Sequence, residues 1–251
     1  MILQKAAAAG GEPPSSFCYD SGMSVAAVIG EKQGVFFDLF HTLVSASVFP
    51  GRPTHEILGV KKSEWRQQTF AASHSRLTRS DLDPYQIIRS MARAIDPKIP
   101  ESLIREATDQ RAVRFEETLK NPPETTLMVL EALRKHGIAT ALITNADAIE
   151  TSGWPSSPLS KLFDCTVFSW EVGYAKPDRK IYEHCLSQMG LESKEAAFVG
   201  DGGADELSGA RAVGLTVVFA KGLMPELAPS ETAKRERTAH YAIESLSELV
   251  P

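Results

Sequence analysis

Three acids, a lysine, a threonine and an asparagine are placed where they could act on one phosphorylated or similarly charged group. Asp38 closes the apolar run Gly34-Val35-Phe36-Phe37. Thr144-Asn145 closes a second run, and Asp201 a third, with Asp205 four residues on. Lys176 lies between the second and third of these sites. A carboxylate can attack or bind a metal, a lysine can neutralise charge, and small donors can hold oxygens. Together that is the equipment of phosphoryl transfer. For Asp38 alone, a strand-end aspartate capping its own loop is an equally good reading.

Such residues converge only if their strands lie side by side. Val35 to Phe37 is continuous, β-branched and aromatic, which suits a strand buried on both faces. Ile138–Ile143, Phe163–Phe168, Ala196–Val199, Leu215–Phe219 and Tyr241–Ile243 read as further strands. Helical runs separate several of them, and Gly137, Gly190 and Gly214 serve as stops. Alternation of this kind predicts an α/β, doubly wound parallel-sheet (Rossmann-like) core. In such a sheet the ligand sits at the carboxyl ends of the strands.

The core is predicted at residues 31–45 and 124–251, with an inserted all-helical cap domain at 46–123. Apolar spacings of three and four residues run through Trp65, Phe70 and Leu77, then Ile87, Ile88, Met91 and Ile95, then Leu103 to Phe115. Trp65 and Phe70 are expected in the core of this insert. Its basic residues (Lys61, Lys62, Arg66, Arg76, Arg79, Arg89 and Arg93) are expected to be a solvated surface. Residues 1–30, rich in Ala, Gly, Pro and Ser, read as a disordered or extended tail, with Met23 an adequate start.

A net charge of −5 gives no basic footprint for nucleic acid. No stretch approaches the length of a membrane span. Three scattered cysteines, with no paired spacing, suit a reducing, cytoplasmic setting.

With these motifs in order, the chain resembles the haloacid dehalogenase-like hydrolase superfamily. Asp38-Leu39-Phe40-His41-Thr42-Leu43 is similar to its first motif, Thr144-Asn145 to its second and Lys176-Pro177-Asp178 to its third. Phe198-Val199-Gly200-Asp201-Gly202-Gly203-Ala204-Asp205 is similar to the fourth. The resemblance implies that Asp38 is the nucleophile, passing through an aspartyl intermediate. It implies that Thr144, with the Asn145 backbone N–H, binds the transferring group and that Lys176 stabilises it. It also implies Mg²⁺ held by Asp38, Asp201 and the main-chain carbonyl of Phe40, with support from Asp205.

Two positions depart from the family pattern. Phe40 replaces the aspartate that serves family phosphatases as general acid and base, and phenylalanine carries no proton to give. His41 replaces a glycine; it could supply that proton, or pack beneath the cap or face solvent. Three functions fit. One is a Mg²⁺-dependent phosphatase of a small phosphorylated metabolite with altered acid/base chemistry. The second is a metal-free 2-haloacid dehalogenase, which Phe40 suits and Asp201 and Asp205 oppose. The third is a weak or repurposed member that binds a phosphorylated ligand or a protein. A monomer or homodimer acting on a small molecule is expected.

Overall fold

The computed structural model describes residues 22–45, 51–224 and 226–251. A first helix, α1 (Val25–Gly30), starts at Ser24, whose hydroxyl accepts from the Ala27 N–H. The expected tail is therefore corrected over its last residues: a capped turn with Ile29 buried is stable enough to hold a helix there. Residues 1–21 of the expected tail and 46–50 of the expected insert lie outside the described residues.

Strand β1 (Gly34–Phe37) follows, every residue buried. The chain then leaves the sheet for helices α2 (Thr54–Ile57), α3 (Lys62–Ala71), α4 (Ser73–Leu77), α5 (Pro84–Ile95) and α6 (Glu101–Lys120). Helix α5 starts as its sequence dictates. Asp83 accepts from the Gln86 N–H, Gln86 returns a bond to the Asp83 N–H, and Pro84 occupies the first turn. Ile57, Trp65, Ile88, Met91 and Ile104 close the core of this insert, joined by Ile149 from the sheet domain. Phe70 is not part of it. Its ring is 81% exposed, a correction to the expectation, because the apolar face of α3 is spent on Trp65.

After α7 (Glu124–Lys135) come β2 (Ala139–Thr144), β3 (Cys165–Phe168), α8 (Ser169–Val172) and α9 (Arg179–Met189). Then come β4 (Ala196–Gly200), α10 (Glu206–Ala212), β5 (Thr216–Ala220), α11 (Pro229–Thr238) and β6 (Tyr241–Ile243). The six strands lie in the order β3-β2-β1-β4-β5-β6, all parallel. The chain builds outwards from β1 in one direction and then returns to build in the other. The switch falls between β1 and β4, where a doubly wound sheet opens its crevice.

Side chains alternate across the sheet, as a period of two requires. Val35 and Phe37 join α1 and α7 through Ile29, Leu130 and Leu133. Phe36 faces the other way, onto Tyr182 and Cys185 of α9 and Ala210 of α10. Both faces are thus sealed, and only the carboxyl edge is left for chemistry. No helix among the described residues is long and apolar enough to cross a membrane.

One close approach fixes that edge. Where α10 passes the segment before α9, a Cβ on Gly209 would lie 2.6 Å from the Pro177 carbonyl oxygen and 3.0 Å from its Cα. Gly209→Ala must push the segment away, since backbone cannot yield cheaply. Urea denaturation is expected to show a loss of about 1–3 kcal/mol, the usual cost of overpacking; an unchanged midpoint would refute the contact.

Candidate active site

Asp38 follows β1, and its N–H donates to Val199 of β4 at 2.9 Å, so the backbone is still pinned to the sheet. The residue is only 7% exposed. Thr42 donates to Asp38 Oδ2 at 3.2 Å. The loop between them closes tightly: the Leu43 N–H donates to Leu39 O at 2.9 Å and the His41 N–H to Val44 O at 2.7 Å. That turn needs a left-handed residue, and His41 supplies it at φ 65°. Glycine would be the easier residue there. The His41 ring is half-buried, and its Nδ1 has no hydrogen-bond partner among the described residues. Phe40 turns towards the helical insert. Its ring meets Phe115 of α6 edge-on, with centroids 5.4 Å apart.

Lys176 Nζ donates to Asp38 Oδ1 and, at 2.5 Å, to Glu206 Oε2. Asn145 places it. The Asn145 amide donates to the Lys176 carbonyl at 2.8 Å, and its Oδ1 accepts from the Lys176 N–H at 2.7 Å. The Asn145 side chain therefore clamps the lysine's backbone, a role the motif alone does not reveal. Burial works against the Lys176 ammonium, but Asp38 and Glu206 beside it carry its pKa above the ordinary lysine value. Burial raises the Asp38 carboxyl, with Lys176 opposing and Asp201 reinforcing.

Asp201 follows β4 and is 8% exposed; its Oδ1 accepts from the Gly203 N–H at 2.9 Å. Carboxylate oxygens of Asp38, Asp201 and Glu206 lie within 4.8 Å of one another, a set that could hold a cation. The third acid of this cluster is Glu206; Asp205, expected as a supporting ligand, is not among its members. Ala204 and Asp205 are both left-handed, at φ 51° and 54°. Those two residues turn the Asp205 carboxylate outwards, where it meets Lys234 at 3.1 Å, and aim Glu206 inwards. Glu206 Oε1 accepts from the Gly202 N–H at 2.9 Å. Two adjacent acids were the available signal; which one points inwards depends on backbone signs that residue types do not reveal.

Arg235 of α11 also reaches the site, its Nη1 donating to the Asp201 carbonyl at 2.5 Å and lying 3.5 Å from Oδ2. No motif marks it. Thr144 is 1% exposed, and its hydroxyl has no partner among the described residues. A buried hydroxyl left unsatisfied at the end of β2 is a donor awaiting an acceptor.

A second charged cluster joins the loop after β2 to the insert. Arg76 Nη1 donates to Asp147 Oδ2 at 2.7 Å and to Glu150 Oε1 at 3.1 Å. Arg111 Nη2 donates to the same Glu150 oxygen at 2.6 Å. Arg76 was expected on a solvated surface; its side chain is 12% exposed, held down by these acids.

With Asp38, Thr144, Lys176 and Asp201 on one edge of a doubly wound sheet, comparison with known proteins is decisive. The model of the haloacid dehalogenase-like hydrolase family matches residues 32–214. The chain belongs to that family. It is 34% identical over 116 residues to a phosphoserine phosphatase from Thermus thermophilus, covering 45% of this chain and 46% of that protein. It is 32% identical over 123 residues to a ribulose-1,5-bisphosphate 5-phosphatase from Halopiger xanaduensis, covering 48% and 52%. The chain thus spans about half the length of these relatives. An L-2-haloacid dehalogenase from Xanthobacter autotrophicus shares the fold, with a TM-score of 0.57 and 16% identity over 87% of this chain and 96% of that one.

Burial, then the charge of Asp38, pushes the Glu206 carboxyl up to about 8 in the metal-free site, against the pull of Lys176. Its folded pKa exceeds the unfolded value of 4.5, so the folded state binds the proton more tightly. The stability this contributes is complete below 4.5 and is lost as pH rises through about 8. In chelator, urea denaturation at stepped pH is expected to show stability falling across that window. Glu206→Gln, which cannot titrate, should flatten the fall; an identical slope would refute the assignment.

Proposed function

We propose that the chain is a Mg²⁺-dependent phosphatase acting on a small phosphorylated metabolite. One observation carries the reading. Two strand-end carboxylates, Asp38 and Asp201, belong to one buried acidic cluster, with a buried ammonium beside it and the unpartnered Thr144 hydroxyl on the same edge. The phosphatase names of the two curated relatives point the same way.

The donor set suits Mg²⁺, which takes one or two carboxylates and fills the rest of its shell with water and substrate oxygens. Asp38, Asp201 and the Phe40 main-chain carbonyl would hold it. Glu206 is already engaged through both oxygens, by Lys176 and by the Gly202 N–H, and anchors the lysine instead. Asp205 faces Lys234 and has no part in the reading. When bound, the ion neutralises charge on the phosphoryl oxygens.

The chain's own groups do the rest. One oxygen of Asp38 attacks phosphorus, and the bond to the departing oxygen breaks with its electron pair. Thr144 and the Asn145 N–H donate to the transferring oxygens, and Lys176 offsets the charge that gathers there. Water then hydrolyses the aspartyl phosphate, releasing phosphate and restoring Asp38. At position 40, where a general acid would stand, the ring is packed on Phe115. General acid/base catalysis is typically worth ~10²–10⁴-fold, so substrates with acidic leaving groups, such as acyl phosphates, suit this site best. His41 is the nearest titratable side chain in sequence to Asp38 and the candidate for any proton that remains to be moved. Among the described residues, Cys165 and Cys185 are free thiols, in keeping with a reducing, cytoplasmic setting.

Phe40 also motivates a second reading, carbon–halogen hydrolysis, in which halide leaves without a proton.

The test is turnover of an acyl phosphate, an aryl phosphate, an alkyl phosphate and a 2-haloacid, each with Mg²⁺ and with chelator. Phosphate release that needs Mg²⁺, fastest from the acyl phosphate and abolished in Asp38→Asn, is expected. Phe40→Asp is expected to favour the alkyl ester by roughly 10–100-fold, part of what a general acid supplies. Halide release indifferent to chelator would overturn the phosphatase reading in favour of the second.

A further inference from the structure

The insert carries a cavity of about 650 Å³ whose wall is cationic. Lys62, Arg66, Arg76, Arg111 and Arg114 line it, and no acid among the described residues does. Asp147 and Glu150 sit behind Arg76 and Arg111 on the loop after β2. These two carboxylates are shared between Arg76 and Arg111. Lys62 and Arg66 are exposed at the rim, with no acidic partner among the described residues. The basic residues of the insert are thus not all a solvated surface.

The wall also holds unused polar atoms. Arg76 spends a single nitrogen, Nη1, on both acids, and its buried Nε has no partner among the described residues. Arg111 donates to Glu150 through Nη2 and lies over the Phe115 ring at 4.7 Å, and its Nε is also without a partner. Thr54 is 3% exposed, lines the same cavity, and has an unpartnered hydroxyl. Buried donors left unsatisfied in this way are rare, and here three share one wall.

The cavity leads towards the nucleophile. A second cavity of about 560 Å³ is lined by Asn145 and Lys176 on the sheet side and by Phe70 and Ser73 on the insert side. Phe70 and Ser73 line both cavities. The exposed Phe70 ring therefore stands at the junction between the lysine and the arginines.

We propose that the arginine-lined cavity of the insert is a distal subsite for a second phosphate on the substrate, which makes bisphosphorylated small molecules the preferred class. The proposal rests on the phosphatase reading of the Asp38 site. Guanidinium groups pair with phosphate through two parallel hydrogen bonds, so they select a dianion by shape as well as charge. Thr54 adds a neutral donor. Trp65, also on the wall, offers an apolar surface to the carbon chain between the two phosphates.

The test uses the full chain with Mg²⁺ and a series of diol bisphosphates of three to six carbons. Alkyl monophosphates and carboxylate-ended alkyl phosphates of matching length are the comparison. Binding is read by calorimetry and by inhibition of aryl phosphate hydrolysis. At the best length the bisphosphate is expected to bind roughly 10–100-fold tighter than the monophosphate, as charge-assisted hydrogen bonds predict. That ratio should fall towards one in Lys62→Met/Arg66→Met, which alters only the exposed rim, and in Thr54→Val. Arg111→Met should abolish it, with circular dichroism reporting whether that variant folds. Equal binding of mono- and bisphosphate at every length, or a ratio untouched by the rim variant, would overturn the proposal. A carboxylate-ended chain matching the bisphosphate would overturn the assignment to phosphate. Mg²⁺-dependent hydrolysis with no bisphosphate preference removes the subsite alone. A variant-sensitive preference without hydrolysis supports the cationic site and removes the phosphatase reading.

Discussion

The arrangement turns on one buried ammonium. Lys176 Nζ lies between Asp38 and Glu206, with its side chain 2% exposed. Burying an unpaired charge costs several kcal/mol, and the ammonium offsets that cost for the acids beside it. Each partner belongs to a different part of the sheet edge. Asp38 leaves β1, Glu206 opens α10 after β4, and Lys176 rides on the segment before α9. The ammonium thus holds three chain segments in register across the switch point. The surroundings serve the same end: Asn145 grips the lysine's backbone at two points, and Gly209 lets α10 come close beside it.

Much of that edge was legible from residue types. In a parallel sheet the carboxyl ends share one side, so finding Asp38, Thr144 and Asp201 after apolar runs was enough to bring them together. The strands, buried on both faces, announce themselves as continuous apolar runs, and their observed limits fall within two residues of those expected. What stayed hidden depends on backbone sign or on packing. Ala204 and Asp205 adopt a conformation that L-residues avoid, so counting along the motif lands on Asp205 when the inward acid is Glu206. Helix α1 is too short for a period to show, and its capping serine is the sole cue. Arg76 and Arg111 lie on different helices, and only the fold of the insert brings both to Glu150. Phe70 obeys the helical spacing and still faces outwards, because spacing defines a stripe without saying where the stripe ends.

Phe40 serves the packing between the sheet edge and the insert. Its ring packs on Phe115, Phe115 lies under the Arg111 guanidinium, and Arg111 is bonded to Glu150. A path of direct contacts therefore runs from the loop after Asp38, through α6 of the insert, to the loop after β2. An aspartate at position 40 would break the first of these contacts and place a third carboxylate beside Asp38. At this position the apolar contact with Phe115 takes the place that a polar side chain would need.

The loop after β2 makes that path stiff. Asp147 Oδ1 accepts from the Ile149 and Glu150 N–H groups, while Glu150 Oε2 accepts from the Asp147 N–H. The two acids thus satisfy the backbone that carries them, and their remaining oxygens face the arginines. Because Arg76 meets both acids through Nη1, an anion could take up its Nε without breaking either pair. Ligand binding on the insert side then adds to the network instead of competing with it. Asn145 begins the same short loop and grips Lys176, so a rigid loop keeps the lysine aligned whether or not the arginine-lined cavity is filled. A single loop thus braces both the lysine beside Asp38 and the arginines of the insert.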